Sequence, residues 1–343
     1  MNNNNSPVLI SDKITPKEFL FSKLAISFYA IILLFVLGEV ILPGFISFSH
    51  VMSVFRLSVF LGIVALGQTL VVLSGNEGID LSVGSILSIG VVLSAFFLNG
   101  QNINIPKALL FTPTVGLAFG LISGLAISYI DIPPIIMTLA MASVVEGTSL
   151  IITKGFPTGN APPLLETIGN GKIFNIPYLI LLWILLIIIA SFILKKTKWG
   201  NLLYGVGSNS LTAELSGVRV KRFRVFVYGI CGAIAALAGL FLLSYTGTPY
   251  LNLGVTYTMP SIASLAIGGI SLAGGNGNYI GAVTGCIILT TLNSILVALR
   301  TTEAVRQITL GLLLLILVIA YTCLLYTSPS PRDRTRSRMP SSA

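Results

Sequence analysis

The chain has 343 residues, of which 54% are hydrophobic and 9% charged, with a formal net charge of +9 and a mean hydropathy of +0.94. A soluble domain carries about 25% charged residues, which excludes a water-driven globule. The apolar runs are continuous and about twenty residues long, which excludes a transmembrane β-barrel, whose segments alternate over roughly ten. The fold class is therefore all-α, a polytopic membrane helix bundle. The positive charge does not imply nucleic-acid binding, since four arginines lie in the last twelve residues and most other basic residues flank apolar runs.

Residues 1–23 read as a cytoplasmic leader that begins with Asn2 to Asn5 and carries Lys13, Lys17 and Lys23. These lysines resemble the start of a signal peptide, but the apolar run 24–42 is too long and no small-x-small cleavage site follows, so it is expected to be a retained first helix. Further helices are expected at 51–73, 83–98, 108–130, 135–153, 177–194, 225–243, 259–273, 279–299 and 307–325, which makes about ten, with broken or short helices near the centre. An even number puts both ends on one side. Lys195, Lys196, Lys198, Arg219, Lys221, Arg222 and Arg224 fall on that side with the three leader lysines, against Lys107, Lys154, Lys172, Arg300 and Arg306 opposite. The bias is ten to five, so both termini are expected in the cytoplasm.

The segment Leu70 to Gly90 interrupts this pattern with Gly75, Asn76, Glu77, Gly78, Asp80, Ser82 and Gly84. Hydrocarbon penalises both charge and unpaired backbone, so the break points to a pathway. The glycines permit backbone shapes closed to other residues, and Asn76, Glu77, Asp80 and Ser82 supply hydrogen-bonding groups. The other reading is that Asp80 and Ser82 cap helix 83–98. Glu146 lies inside the run 135–153 and must face the bundle interior or a partner. Glu39, Arg56 and Asp131 are read as structural. His50 falls in a short outer loop, and Tyr245, Tyr250 and Tyr257 as an interfacial belt.

Two loops differ in kind. Residues 154–176, with Pro157, Pro162, Pro163 and several glycines and asparagines, favour turns over a packed unit. In the loop 195–224, Ser210 or Thr212 can cap a short helix with Glu214 in its first turn and Gly217 at its end, presenting a docking surface or a solvated connector. A second glycine-rich segment, 268–281, matches Gly78 to Gly84 at Gly-Ile-x-Leu-x-x-Gly, which fits either related broken helices or close helix packing. Cys231, Cys286 and Cys323 lack paired spacing, so no disulfide framework and no metal site is indicated. Residues 326–343, rich in Ser, Pro and Arg, are expected to be disordered and resemble translated adaptor DNA.

Three strings carry a resemblance: Gly207-Ser-Asn-Ser-Leu-Thr-Ala-Glu-Leu-Ser-Gly-Val, Gly78-Ile-Asp-Leu-Ser-Val-Gly-Ser, and Pro260-Ser-Ile-Ala-Ser-Leu-Ala-Ile-Gly-Gly-Ile-Ser-Leu-Ala-Gly-Gly-Asn-Gly. In this order, over roughly residues 20 to 320, the chain resembles the permease subunits of ribose-type ABC sugar importers. The resemblance implies a permease domain over 24–325 in a bacterial inner membrane, without a cofactor. It implies a second permease copy or paralogue, cytoplasmic ABC ATPase subunits and a periplasmic or lipid-anchored sugar-binding protein. It also implies that Ala213, Glu214, Leu215, Ser216 and Gly217 form the stretch that seats in the ATPase. Where the family has Gly-Gly-Ile-Asp-Leu-Ser, this chain has an added acidic residue at Glu77. No Gly-x-x-x-x-Gly-Lys-Ser/Thr string occurs, so the P-loop route to ATP hydrolysis must come from a partner. Competing classes are an ion-coupled secondary transporter using Glu77, Asp80 and Glu146, and a channel or scaffold without pumping.

Overall fold

The computed structural model describes residues 23–327; the leader and residues 328–343 lie outside them. Each of the ten expected spans coincides with a helix. These are α1 (Lys23–Ile41), α2 (Phe48–Leu73), α3 (Val83–Leu98), α4 (Ile105–Tyr129), α5 (Pro134–Thr153), α7 (Tyr178–Lys196), α10 (Val220–Thr246), α11 (Thr258–Ile267), α12 (Tyr279–Ala298) and α13 (Glu303–Thr327). Among the described residues, α2, α4 with the short 3₁₀ turn before it, α5, α7, α10 and α12 are each at least 18 residues long and apolar enough to cross a membrane. α3 and α11 are shorter, at 16 and 10 residues. At 1.5 Å per residue they reach roughly 24 and 15 Å, less than the ~30 Å hydrocarbon core.

The two largest boundary differences have physical reasons. α10 starts at Val220 rather than 225 because Lys221, Arg222 and Arg224 end a hydropathy window without ending a helix. α11 stops at Ile267 rather than 273, where Gly268 and the left-handed Gly269 break the chain.

α2 and α10 form the interior. In α2, 89% of the most apolar stretch is buried, whereas α5 and α7 bury 28% each. Ile151 on α5 and Ile188 on α7 point outward, as an apolar solvent allows. α10 packs against α4, α3 and α2. Its contact with α4 is backbone on backbone: a Cβ on Gly116 would collide with the Gly232 carbonyl, one on Gly232 with the Gly116 carbonyl, and one on Gly120 with the Tyr228 carbonyl. Lipid supplies no hydrophobic drive to bring helices together, so such small-residue contacts do.

The loop 154–176 is more ordered than its composition suggests. It contains α6 (Pro163–Asn170) and a two-stranded hairpin, β1 (Lys172–Ile173) paired antiparallel with β2 (Ile176–Pro177). Pro163 opens α6 at the position where a missing N–H costs nothing. The Ala161 N–H donates to the Gly247 carbonyl at 2.9 Å, and Asn170 Nδ2 to the Tyr245 carbonyl at 3.1 Å, so this loop caps the end of α10. His50 lies in the first turn of α2 rather than in a loop, 3.1 Å from Ser294 Oγ. Glu39 is structural in a definite sense, because its carboxylate accepts the Gly44 and Ile46 N–H groups at 2.9 and 2.7 Å and closes the α1–α2 turn. The Arg56 guanidinium stands 4.8 Å over the Tyr245 ring, and Asp131 sits with φ 58° at the α4–α5 boundary.

Overpacking costs about 1–3 kcal/mol, sometimes more, so Gly116→Val should lower the thermal midpoint of the detergent-solubilised protein by several degrees. Gly311→Ala, at a site with open space, should leave it unchanged. Equal midpoints for both variants would refute the close-packing account.

Candidate functional site

The two breaks, 74–82 and 268–278, lie at the same end of the bundle as the loop 195–224. In that loop α8 (Lys198–Ser208) is capped by Thr197, whose Oγ1 accepts the Gly200 N–H at 3.2 Å. α9 (Ser210–Leu215) follows at once. The cap of α9 is Asn209, not Ser210 or Thr212: its Oδ1 accepts the Thr212 N–H at 2.9 Å. The helix therefore starts one residue earlier than a Ser210 cap requires and three earlier than a Thr212 cap requires, and Glu214 lies beyond its first turn. Gly217 ends it with φ 86°, its N–H donating to the Glu214 carbonyl at 2.9 Å while the Val218 N–H reaches Ala213 at 3.1 Å. Glu214, Leu215, Ser216 and Gly217 are exposed and Ala213 is half-buried. Leu211 and Leu215, four apart and so on one face, are 66% and 82% exposed. Leu211 escaped the sequence reading, although its i, i+4 relation to Leu215 was visible there. Beside α9 lies a groove of about 630 Å³, lined by Asn201, Gly205, Asn209 and Thr212 among others.

α8 touches both breaks through backbone. A Cβ on Gly207 would collide with the Leu73 carbonyl, one on Gly75 would stand 2.9 Å from Gly207 Cα, and one on Gly274 would collide with Gly75 Cα. The Gly275 N–H donates to the Leu73 carbonyl at 3.2 Å, and Tyr204 Oη donates to the Gly277 carbonyl at 2.8 Å. Leu73, Gly75, Gly207 and Gly274–Gly275 thus form one junction. Both glycine-rich segments meet there, at the end of the bundle.

The first break carries its polar groups at two depths. Asn76 and Glu77 are exposed at the junction, with φ 61° and 52°. The left-handed positions fall on them and Gly75, whereas Gly84 is small because Thr258 and Gly254 press against it. Glu77 has no hydrogen bond or ion pair among the described residues. Deeper, Asp80 and Ser82 are fully buried. Asp80 Oδ1 accepts from the Ser82 N–H at 2.9 Å and from Ser82 Oγ at 2.6 Å. The expected side-chain cap on α3 is thus replaced by an Asx turn one residue ahead of the helix: the carboxylate fixes Ser82, the residue at the N-cap, and neither side chain reaches a helical N–H.

The remaining backbone groups here are satisfied from other helices. The Leu81 N–H donates to Thr138 Oγ1 on α5 at 3.0 Å. The buried Gln68 carboxamide on α2, with its amide oriented to satisfy both groups, accepts from the Asp80 N–H at 3.2 Å and donates to its carbonyl at 3.3 Å. Gln68 and Thr138 were not singled out from the sequence, where nothing links them to residue 80. The buried Cys231 thiol on α10 lies beside the Asp80 carboxylate, whose Oδ2 makes no hydrogen bond of ordinary geometry among the described residues. One turn along α3, Ser85 Oγ donates to Glu146 Oε1 at 2.9 Å, and Ser88 Oγ accepts the Gly254 N–H at 2.8 Å. Glu146 is half-buried, so the structure joins it to α3 through Ser85, pairs Asp80 with Ser82, and leaves Asn76 and Glu77 apart from both.

If Asp80 acts by fixing the Asx turn, Asp80→Asn should keep the thermal midpoint near that of the unaltered protein, because Oδ1 survives. Asp80→Ala should lower it, since two buried donors lose their acceptor at about 1–3 kcal/mol. Asn as damaging as Ala would show that the charge, not the turn, is what the position requires.

Comparison with known proteins agrees with this architecture. Residues 50–318 match the family described as the branched-chain amino acid transport system permease component. The chain is 33% identical over 303 residues to the ribose import permease protein RbsC of Haemophilus influenzae, covering 86% of this chain and 91% of that one. It is 34% identical over 286 residues to the autoinducer 2 import system permease protein LsrC of Yersinia pestis, covering 83% and 81%. It is 33% identical over 290 residues to LsrC of Escherichia coli, covering 84% of each. No solved structure gives a significant match. The chain belongs to the branched-chain amino acid transport system permease family.

Proposed function

We propose that this chain is the translocation subunit of an ATP-binding-cassette importer, carrying a monosaccharide or a similar small polar solute across a bacterial inner membrane. The observation that carries the reading is the wiring of α9. Two exposed leucines stand on a short capped helix, and the helix just before it contacts both membrane breaks at one glycine junction. An exposed apolar pair on a soluble loop suits a docking partner, and the chain has no P-loop of its own. The names of the relatives, a ribose and an autoinducer 2 import permease, support a sugar-like solute.

On this reading residues 24–325 form the permease domain, both termini face the cytoplasm, and Ala213 to Gly217, with Leu211, seat in an ATPase subunit. A second permease completes the path and a binding protein delivers the solute. ATP binding draws the two ATPases together and shifts α9; α8 passes the shift through Gly207 to Gly75 and Gly274. The breaks then move between two packed arrangements, which is how interfaces switch. Asp80 and Ser82 just ahead of α3, Ser85 on α3 and Glu146 on α5 lie beside the path; all but Glu146 are buried in this arrangement, so their oxygens meet sugar hydroxyls when the breaks shift. Asn76 and Glu77 belong to the cytoplasmic mouth.

The test uses the permease reconstituted with its ATPase and binding protein. Leu215→Glu should cut ATPase capture and solute uptake at least tenfold while insertion into the membrane is unchanged; normal uptake would overturn the docking role. Gly207→Ala should keep the ATPase bound and hydrolysing while uptake falls several-fold, because the added methyl pushes against Leu73. Uptake and hydrolysis falling in proportion, at an unchanged thermal midpoint, would argue against a relay through the junction.

A further inference from the structure

A crevice that the transport reading does not use runs along the outside of the bundle between α7, α2 and α10. It holds about 270 Å³ and is walled by Leu66 and Leu70 of α2, Ala190 and Ile193 of α7 and Ile234 of α10, with the Trp199 ring at the end nearest α8. Every lining residue is apolar or aromatic. At about 30 Å³ per water-sized group, the space takes roughly nine such groups, and its lining offers water no partner.

Its lower mouth has a different character. α7 ends in Lys195 and Lys196, and α8 opens with Lys198, next to Trp199. All three lysines are exposed, and none is in an ion pair among the described residues. Trp199 is half-buried, its ring centroid 5.8 Å from that of Phe223, the placement of an aromatic at a membrane interface. An apolar slot in the membrane half nearest a cluster of unpaired cations matches one chemistry: a hydrocarbon tail joined to an anion. Neither a free phosphate nor an uncharged hydrocarbon satisfies both ends.

We propose that this crevice is a binding site for an anionic phospholipid, with one acyl chain between α7 and α10 and the headgroup phosphate at Lys195, Lys196 and Lys198. Basic pockets between membrane helices on the cytoplasmic side are suited to such headgroups. The site lies against α8, the helix that reaches the glycine junction, so an occupied crevice braces α8 from the lipid side. The assignment does not depend on which solute is carried.

The tryptophans give a direct readout. Trp183 is buried, with its Nε1 donating to Tyr279 Oη at 3.1 Å, whereas Trp199 faces the crevice. The full-length protein is placed in phosphatidylcholine vesicles with rising fractions of lipid brominated in the acyl chain, and tryptophan quenching is followed. Brominated phosphatidylglycerol should reach half-maximal quenching at a mole fraction at least threefold below that of brominated phosphatidylcholine. Most of this quenching should vanish in Trp199→Phe. The surface variant Lys195→Gln/Lys196→Gln/Lys198→Gln, which disturbs no packed residue, should bring the two lipids to the same half-point. Equal half-points in the unaltered protein, which would mean a site filled by any lipid, or an undiminished preference in the triple variant would overturn the proposal.

Discussion

In hydrocarbon no water pairs with an exposed peptide group and none is released when two helices meet, so each departure from helix must be satisfied by another part of the protein. This constraint governs the molecule. α10 can sit at the centre only because Gly116 and Gly120 on α4 bring backbone against backbone at Gly232 and Tyr228. The irregular 79–82 segment can run through the interior only because Gln68 holds both polar groups of the Asp80 backbone and Thr138 takes the Leu81 N–H. An unpaired peptide group there would cost several kcal/mol.

The same economy gives the break its function on the proposed reading. A helix crossing the whole membrane is a rigid rod, whereas a short helix hung from an irregular segment can be displaced at its base. α3 and α11 are both short, and the segments that complete their crossings meet α8 at Gly75, Gly207 and Gly274. Backbone meets backbone at Gly75, Gly207 and Gly274, so on the proposed reading a displacement of α8 is passed to both breaks. A soluble partner that grips α9 from outside would therefore act on the interior without entering it.

Much of this was legible in the sequence, and the parts that were not share a cause. The helices could be read because a twenty-residue apolar run has few other fates in a membrane protein, and the α3 boundaries, 83–98, matched to the residue. The 195–224 loop showed its short helix through Gly217, but Asn209, Ser210 and Thr212 are all good caps and only the backbone path selects among them. α6 and the β1–β2 hairpin were hidden in a polar, proline-rich stretch because their order comes from α10, not from their own composition. Gln68, Thr138 and the partners of Gly207 were invisible for the same reason, since each acts on residues far away in the chain. Glu77 looked like part of an interior site because the apolar runs on either side gave no hint that the break lies at the bundle's end.

The central claim is that work done on α9 by an ATP-hydrolysing partner moves solute through the bundle. The most direct measurement is accumulation of labelled solute in proteoliposomes containing the permease, its ATPase and its binding protein, with proton and sodium gradients collapsed by ionophores. The account predicts accumulation against the solute gradient that requires ATP and persists under the ionophores. Accumulation that needs no ATPase and disappears with the ion gradient would contradict it, and would return Asp80 and Glu146 to the role of ion sites.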